Sequence, residues 1–437
     1  MQAGDDSAPN ICYTINNYGQ TFDSFLKTLS RIRSAGGNRM RCSARMLFFA
    51  GETMGPMNGF YVPTKIFSGE AAFENLKQYP IHRMCIICDP FIEKSGMIKK
   101  LLRVLEEMGA EYRIFSDITP DPNIDLVVQG LIRILDHKPD AVLAMGGGSA
   151  IDAAKAISYM YQKVTGAPKP LCIVVPTTSG TGSEATSFAV ITDSATHIKY
   201  PLVDDKLLPN IAILDPSLVR SVPPKVTADT GMDVLTHAVE AYVSTDANDF
   251  SDALAEKAVR LTVEHLPWVY KHGDDMNARE HMHNASSMAG VAFNHAGLGI
   301  NHSIAHIVGG RFGIPHGRAN AIVLPYVIEF NSYLADRNHA ADSQAAMKYS
   351  QLGVLIGGGS YSGPQAIRHL IITVERMLAE FEIPGSLKKA GVDQQAFMES
   401  VEELAEIALK DKCTATNPRA VSKKQMVGLM KRIYNGR

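Results

Sequence analysis

Between residues 83 and 175 short apolar runs alternate with helix-patterned stretches, and this alternation restricts the chain more than any other feature. RMCIICD (83–89) reads as a strand, GMIKKLLRVLEEMG (96–109) as an amphipathic helix closed by glycine, and EYRIFSDI (111–118) as a second strand. IDLVVQGLIRILDHK (124–138) reads as a helix, DAVLAMGGGS (140–149) as a strand entering a turn, and LCIVV (171–175) as a further strand. Strands separated by helices of this length predict a parallel sheet with helices on both faces. Prolines cluster in ILDPSLVRSVPP (213–224), and from Val226 onward no strand pattern is found. The expectation is therefore an α/β domain with a parallel sheet over 57–220 and an all-α domain over 221–437, preceded by an extension at 1–56.

A chain of 437 residues suits two domains of ordinary size. Its net charge of −2 gives no electrostatic footprint for nucleic acid, and no apolar run is long enough to span a bilayer. The six cysteines are few and scattered, which suits a reducing compartment. Cys85 and Cys88 form a CxxC, but inside a strand residues three apart face opposite ways, so both are expected to be buried strand cysteines.

The chemistry-bearing residues are concentrated later. In GMDVLTHAVEAY (231–242) Asp233 and His237 stand four apart on one helix face. In GLGINHSIAHIVGGRFGIPHG (297–317) a second helix carries His302 and His306, and a Gly/Pro loop delivers His316. A carboxylate with several imidazoles suits Fe(II), Zn(II), Co(II) or Mn(II), and ligand type does not choose among them. Spacing alone favours pairing His302 with His306. The GGGS at 146–149 closes a strand and opens a helix, where backbone N–H groups and the helix dipole can take a pyrophosphate, although glycine there also serves turn geometry. Asp89 ends the first strand at the edge where such sheets bind ligands, as a ribose acceptor or a helix cap. PTTSGTGSEATS (176–187) offers Thr177, Thr178 and Ser183 as donors above a nucleotide, or forms a plain polar hairpin.

Four segments, MGGGSAIDAAKAI (145–157), VPTTSGTGSEATSFAVITD (175–193), GMDVLTHAVEAYVS (231–244) and MHNASSMAGVAFNHAGLGINHSIAHIVGGRFGIPHGRANAI (282–322), carry a resemblance. From about Gly59 to its end the chain resembles the iron-containing, or group III, alcohol dehydrogenases, a dehydroquinate-synthase-like fold, and within them the branch of propanediol-utilising bacterial microcompartments. The resemblance implies that Asp233, His237, His302 and His316 bind a divalent metal, usually Fe(II), with Zn(II) the alternative. It implies that His306 stands near the nicotinamide in a proton-relay or positioning role. It further implies that Gly147, Gly148, Ser149 and Asp152 contact NAD(H), that the 176–187 loop covers the nicotinamide and phosphates, that Lys199 lies near the ribose, and that Asp89 favours NAD over NADP. The implied reaction interconverts a short aldehyde and a primary alcohol, propanal and 1-propanol above all, with ethanol or another short-chain alcohol of ethanolamine or related metabolism as the alternative, in a homodimer or larger assembly in the cytoplasm or a microcompartment lumen. Phe293 is a candidate wall of a small substrate pocket or a core residue.

Two rivals are weighed. The related glycerol dehydrogenases and dehydroquinate synthases use zinc with a different ligand set, which the Asp-plus-three-His pattern disfavours. An interaction protein would instead use the segment from Ser24 to Gly51, which has six basic and no acidic residues and apolar positions at helical spacing. That segment is a candidate docking helix for microcompartment enzymes or shell proteins.

Overall fold

A computed structural model describes residues 59–194, 199–334, 343–357 and 359–437. The basic segment and the 1–56 extension lie outside these residues, as do Gly358 and the side chain of Lys199. In chain order the first half runs β1 (Lys65–Ser68), a 3-10 turn (Ala72–Gln78), β2 (Arg83–Cys88), α1 (Pro90–Ser95), α2 (Lys99–Met108), β3 (Glu111–Phe115) and α3 (Ile124–His137). It continues with β4 (Ala141–Gly146), α4 (Gly148–Thr165), β5 (Leu171–Pro176), β6 (Phe188–Thr192), β7 (Lys199–Val203) and β8 (Ile211–Leu214). Six strands form one parallel sheet in the order β1-β8-β5-β4-β2-β3, and β6 with β7 makes a separate antiparallel pair.

The strand composition explains the sheet. Every residue of β4 is buried, and β2 and β5 are buried apart from their first residues, as expected for parallel strands covered on both sides. Cys85, Ile87, Val142, Ala144 and Val174 pack with α3 and α4 on one face. Met84, Ile86, Cys88, Leu143 and Ile173 pack with α2 and the 3-10 turn on the other. Cys85 and Cys88 thus point to opposite faces, and burial pushes both thiols up to about 12, away from thiolate chemistry.

The second half is helical: α5 (Pro224–Val243), α6 (Asp249–Lys271), α7 (Met276–Ala296), α8 (Ile300–Phe312), α9 (His316–Asn331), α10 (Gln344–Leu355), α11 (Pro364–Glu380), α12 (Gln394–Lys410) and α13 (Lys423–Asn435). Helix α5 begins on Pro224, where the missing N–H costs nothing. Every residue from Gly231 to Val243 is buried, so α5 is the axis around which α6, α7 and α9 pack. No strand occurs among the described residues after β8. The carboxyl ends of β2, β4 and β5 carry Asp89, Gly146 and Thr177, and the loop after β5 reaches the helical half. There Gly182 and Gly290 of α7 meet so closely that a Cβ on Gly182 would stand 2.6 Å from Gly290 Cα. Ser187 N and Oγ donate to Asn294 on the same helix at 2.8 and 3.0 Å.

Candidate metal centre and dinucleotide edge

Three helices deliver four donors to one point. Asp233 and His237 lie one turn apart on α5, His302 sits in the first turn of α8, and His316 opens α9. One ligand atom from each lies within 4.8 Å of all the others. Asp233 Oδ1 is 3.6 Å from His316 Nε2 and 3.9 Å from His302 Nε2. The His237 ring stacks between His302 and Phe293, at 4.5 Å from each. Asp233, His237 and His302 are buried, while the His316 side chain is 43% exposed and forms the open side. Close approach of α9 to α5 depends on Gly317, where a Cβ would stand 2.2 Å from Asp229 O and 3.2 Å from Asp233 Cβ.

The surroundings of these donors fit a cation. Burial and the neighbouring imidazoles hold His302 well below its ordinary value, and burial lowers His237. Neutral imidazole is the form that binds metal. His237 Nδ1 is buried with no hydrogen-bond partner, a cost that a ligand can relieve. His302 Nδ1 is held 2.5 Å from Glu240 Oε2, the backing that orients a ligating imidazole. Glu240 Oε1 also accepts from Asn301 N at 2.8 Å, and burial pushes this carboxyl up to about 8. The Asn320 Nδ2 stands 2.7 Å from Asp233 Oδ1 and 3.1 Å from both His302 Nε2 and His316 Nε2. Two amide hydrogens thus face three electron-rich atoms, the arrangement expected where the donor set is built for positive charge.

His306 is beside this set rather than in it. Its Nδ1 lies 2.9 Å from Asp411 Oδ2, and its ring stacks on His316 with centroids 5.3 Å apart. The i, i+4 pairing of His302 and His306 that spacing favours is not made, because one turn of α8 carries His306 outward to Asp411. Burial acts to raise Asp411, but the His306 contact outweighs it and holds the carboxyl below its ordinary value.

At the sheet edge the dinucleotide candidates converge. Gly147 caps α4, whose first turn offers unpaired N–H groups next to Ser149. Gly146 has φ +155, and Asp89 Oδ2 lies 3.7 Å from where its Cβ would stand. Asp89 Oδ1 caps α1 by accepting from Phe91 N and Ile92 N, so one residue has both of the roles weighed for it within reach. Thr178 and Thr181 lie over Gly147 and Gly148, and a Cβ on Gly148 would come within 2.9 Å of Thr181 Cγ2. Thr177 is buried and its N–H donates to Gly146 O at 3.0 Å. Ser149 Oγ accepts from Asp121 N at 3.3 Å. Asp152 and Ser183 bond to each other: Ser183 Oγ donates to Asp152 Oδ1 at 2.6 Å, and Val190 N donates to Oδ2 at 3.0 Å. Both therefore anchor the loop from below. Lys199 opens β7, paired with Thr192.

Several participants escape sequence reasoning. Lys155 is fully buried, and its ammonium donates to Ser183 Oγ, to Thr186 and to Phe188 O; burial pulls it down to about 8. It stands three residues after Asp152 on the same helix face, a spacing that could have signalled it. Glu240 lies seven residues after Asp233, and Asn320 four after His316, both at helical spacing from recognised ligands. Asp411 comes from a distant turn with no local signal.

The sequence profile of the iron-containing alcohol dehydrogenases matches residues 63–216, and that of the family's C-terminal domain, the Fe-containing alcohol dehydrogenase family, matches 227–434. The chain belongs to the iron-containing alcohol dehydrogenase family. Among relatives of this iron-containing alcohol dehydrogenase, the 1-propanol dehydrogenase PduQ of Citrobacter freundii is 44% identical over 379 residues, 86% of this chain and 100% of the relative. The NADPH-dependent butanol dehydrogenase of Clostridium saccharobutylicum is 38% identical, covering 87% of this chain and 99% of the relative. The structure also resembles that of a sulfoacetaldehyde reductase from Bifidobacterium kashiwanohense in complex with NAD+, with TM-score 0.74 and 27% identity over 86% of this chain and 98% of that one. As a family member the chain is an oxidoreductase with a parallel-sheet half and a largely helical half. Among its described residues no helix is long and apolar enough to cross a membrane.

Proposed function

We propose that this iron-containing alcohol dehydrogenase reduces propanal to 1-propanol, or a close short-chain equivalent, with NADH as hydride donor and Fe(II) at Asp233, His237, His302 and His316. The observation that carries the reading is the convergence of these four donors, with His302 backed by Glu240. A bound divalent cation supplies Lewis acidity at the substrate oxygen. The protein's own groups do the rest. Glu240 fixes the His302 ring so that Nε2 faces the other donors. Gly147, Gly148 and Ser149 at the start of α4 hold the pyrophosphate, and Thr177 and Thr178 cover it. Asp152, Ser183 and Lys155 keep that cover in place, and Lys199 reaches the ribose. Asp89 accepts from the adenosine ribose and repels a 2′-phosphate, which favours NADH over NADPH. His306, oriented by Asp411, hands a proton toward the reacting oxygen. Phe293, 4.5 Å over His237, walls the site on its apolar side and suits a short alkyl chain.

The similarity to 1-propanol dehydrogenases supports propanal and 1-propanol as the substrate pair; regeneration of NAD, assembly as a homodimer or larger, a place in a bacterial microcompartment and the division into 57–220 and 221–437 belong to the same proposal. The test is NADH oxidation with propanal by anaerobically purified protein, before and after chelation and with Fe(II) restored. Activity that needs the metal, is weak with NADPH and is lost in His302→Ala supports the reading. No NADH consumption with Fe(II), Zn(II) or Mn(II) across short aldehydes overturns it.

A further inference from the structure

A second donor cluster lies next to the first and shares none of its residues. A ring nitrogen of His306, a carboxylate oxygen of Asp411 and Cys413 Sγ lie within 4.8 Å of one another. The turn at 411–416 brings them together: Asp411 caps it by accepting from Cys413 N at 2.8 Å through Oδ1, which leaves Oδ2 for His306 at 2.9 Å. Cys413 is half-buried, and the His306 and Asp411 side chains are 41% and 21% exposed, so the cluster opens to solvent on its imidazole and carboxylate side. Thr414 Oγ1, hydrogen-bonded to Ala408 O at 2.7 Å and to Ser303 Oγ at 2.8 Å, pins the turn against α8, so the geometry is held without an ion.

We propose that His306, Asp411 and Cys413 form a second, inhibitory site for a thiophilic divalent cation, Zn(II) or Cd(II), distinct from the four-donor centre. An imidazole, a carboxylate and a thiolate are the mixed N, O and S set that such ions select, with water as a fourth ligand. Donors bound to one Zn(II) stand roughly 3.5 Å apart. The 2.9 Å His306–Asp411 contact therefore opens by a few tenths of an ångström while Cys413 closes in. Protons balance: the thiol proton leaves to solvent as the metal takes the sulfur, and the imidazole proton moves from Nδ1 to Nε2 so that Nδ1 can bind. The set is selective against harder ions, because Mg(II) and Ca(II) want oxygen donors. Occupancy takes His306 from Asp411 and so slows turnover, while the binding itself does not depend on the reaction proposed above.

The experiment titrates Cd(II) into the Fe(II)-loaded enzyme under anaerobic conditions and follows the ultraviolet thiolate-to-cadmium charge-transfer band. A band that saturates at one thiolate-bound ion per chain, vanishes in Cys413→Ser and needs at least ~10-fold more Cd(II) in Asp411→Asn is the expected result. Cd(II) entering the four-donor centre gives no such band, since that centre has no sulfur. No band in the unaltered protein, or a band that persists in Cys413→Ser through another cysteine, overturns the proposal. In parallel, Zn(II) should inhibit the unaltered enzyme at concentrations at least ~10-fold lower than Cys413→Ser, whose metal-free-buffer activity should be unchanged. Equal Zn(II) sensitivity in the two would contradict the inhibitory role even where the band is present.

Discussion

Glu240 shows how much a single carboxyl contributes at this site without touching a metal. Its oxygens hold both the His302 ring and the backbone at the start of α8, and Gly299 makes room, since a Cβ there would stand 2.6 Å from Glu240 Oε1. Glu240→Gln keeps the shape but replaces the carboxyl oxygen that holds His302 Nδ1 with an amide. Chelator competition should show metal affinity falling about 10–100-fold with the fold retained. Asp89 offers a second residue-scale prediction. Asp89→Asn keeps an N-cap acceptor while removing the negative charge, so thermal stability should change little and the NADH to NADPH preference should narrow, read as the ratio of kcat/KM values. An unchanged ratio would remove Asp89 from cofactor selection. The four candidate ligands were legible because each sits at i, i+4 spacing or behind a Gly/Pro loop. Asp411 was not, since it meets His306 across 105 residues, and only tertiary packing sets such a contact.

At the scale of elements, the donors meet because helices approach more closely than side chains normally permit. Gly317→Ala puts a methyl group where Asp229 O now lies 2.2 Å away, so the start of α9 must retreat from α5. His316 then leaves Asp233, and calorimetry should show metal affinity reduced at least ~10-fold while α-helical content is unchanged. A second element-scale prediction concerns His283 of α7. Its Nδ1 lies 3.0 Å from Ser179 Oγ in the cofactor loop, its Nε2 is buried without a partner, and burial lowers its pKa to about 4. The unfolded chain, with an ordinary histidine near 6.5, binds the proton first as pH falls, so ν_U exceeds ν_N between those values. Stability is therefore full above pH ~6.5 and is lost toward pH ~4, by roughly 3 kcal/mol from this group. Denaturant unfolding from pH 7 to 4 should be less acid-sensitive in His283→Gln by about one proton. The strands β2, β4 and β5 were legible from their buried apolar runs. The four-residue strand β1 and the β6–β7 pair were not, because β1 is a sheet edge with three of its four residues exposed and β6 carries a solvent-facing Val190.

For the whole molecule, the parallel sheet and the helical half depend on one another at the loop after β5. This loop covers the Gly146–Ser149 turn on one side and packs on α7 through Gly182 and Gly290 on the other. Asp152 and the buried Lys155 support it from α4. The sheet edge that suits a dinucleotide and the helices that suit a metal are thereby connected by one segment, which is why the order of elements in the sequence was enough to expect both halves. The handoff between them was less legible, because glycine-to-glycine contact and a buried lysine leave only weak marks in a pattern of hydrophobicity. The central claim is that Asp233, His237, His302 and His316 together hold one divalent ion. The most direct measurement is anomalous diffraction at the iron edge from crystals of the protein loaded anaerobically with Fe(II). One strong peak enclosed by these four side chains, absent from His302→Ala crystals, is the predicted result. A peak elsewhere, or none at this point in protein loaded to one iron per chain, would contradict the account.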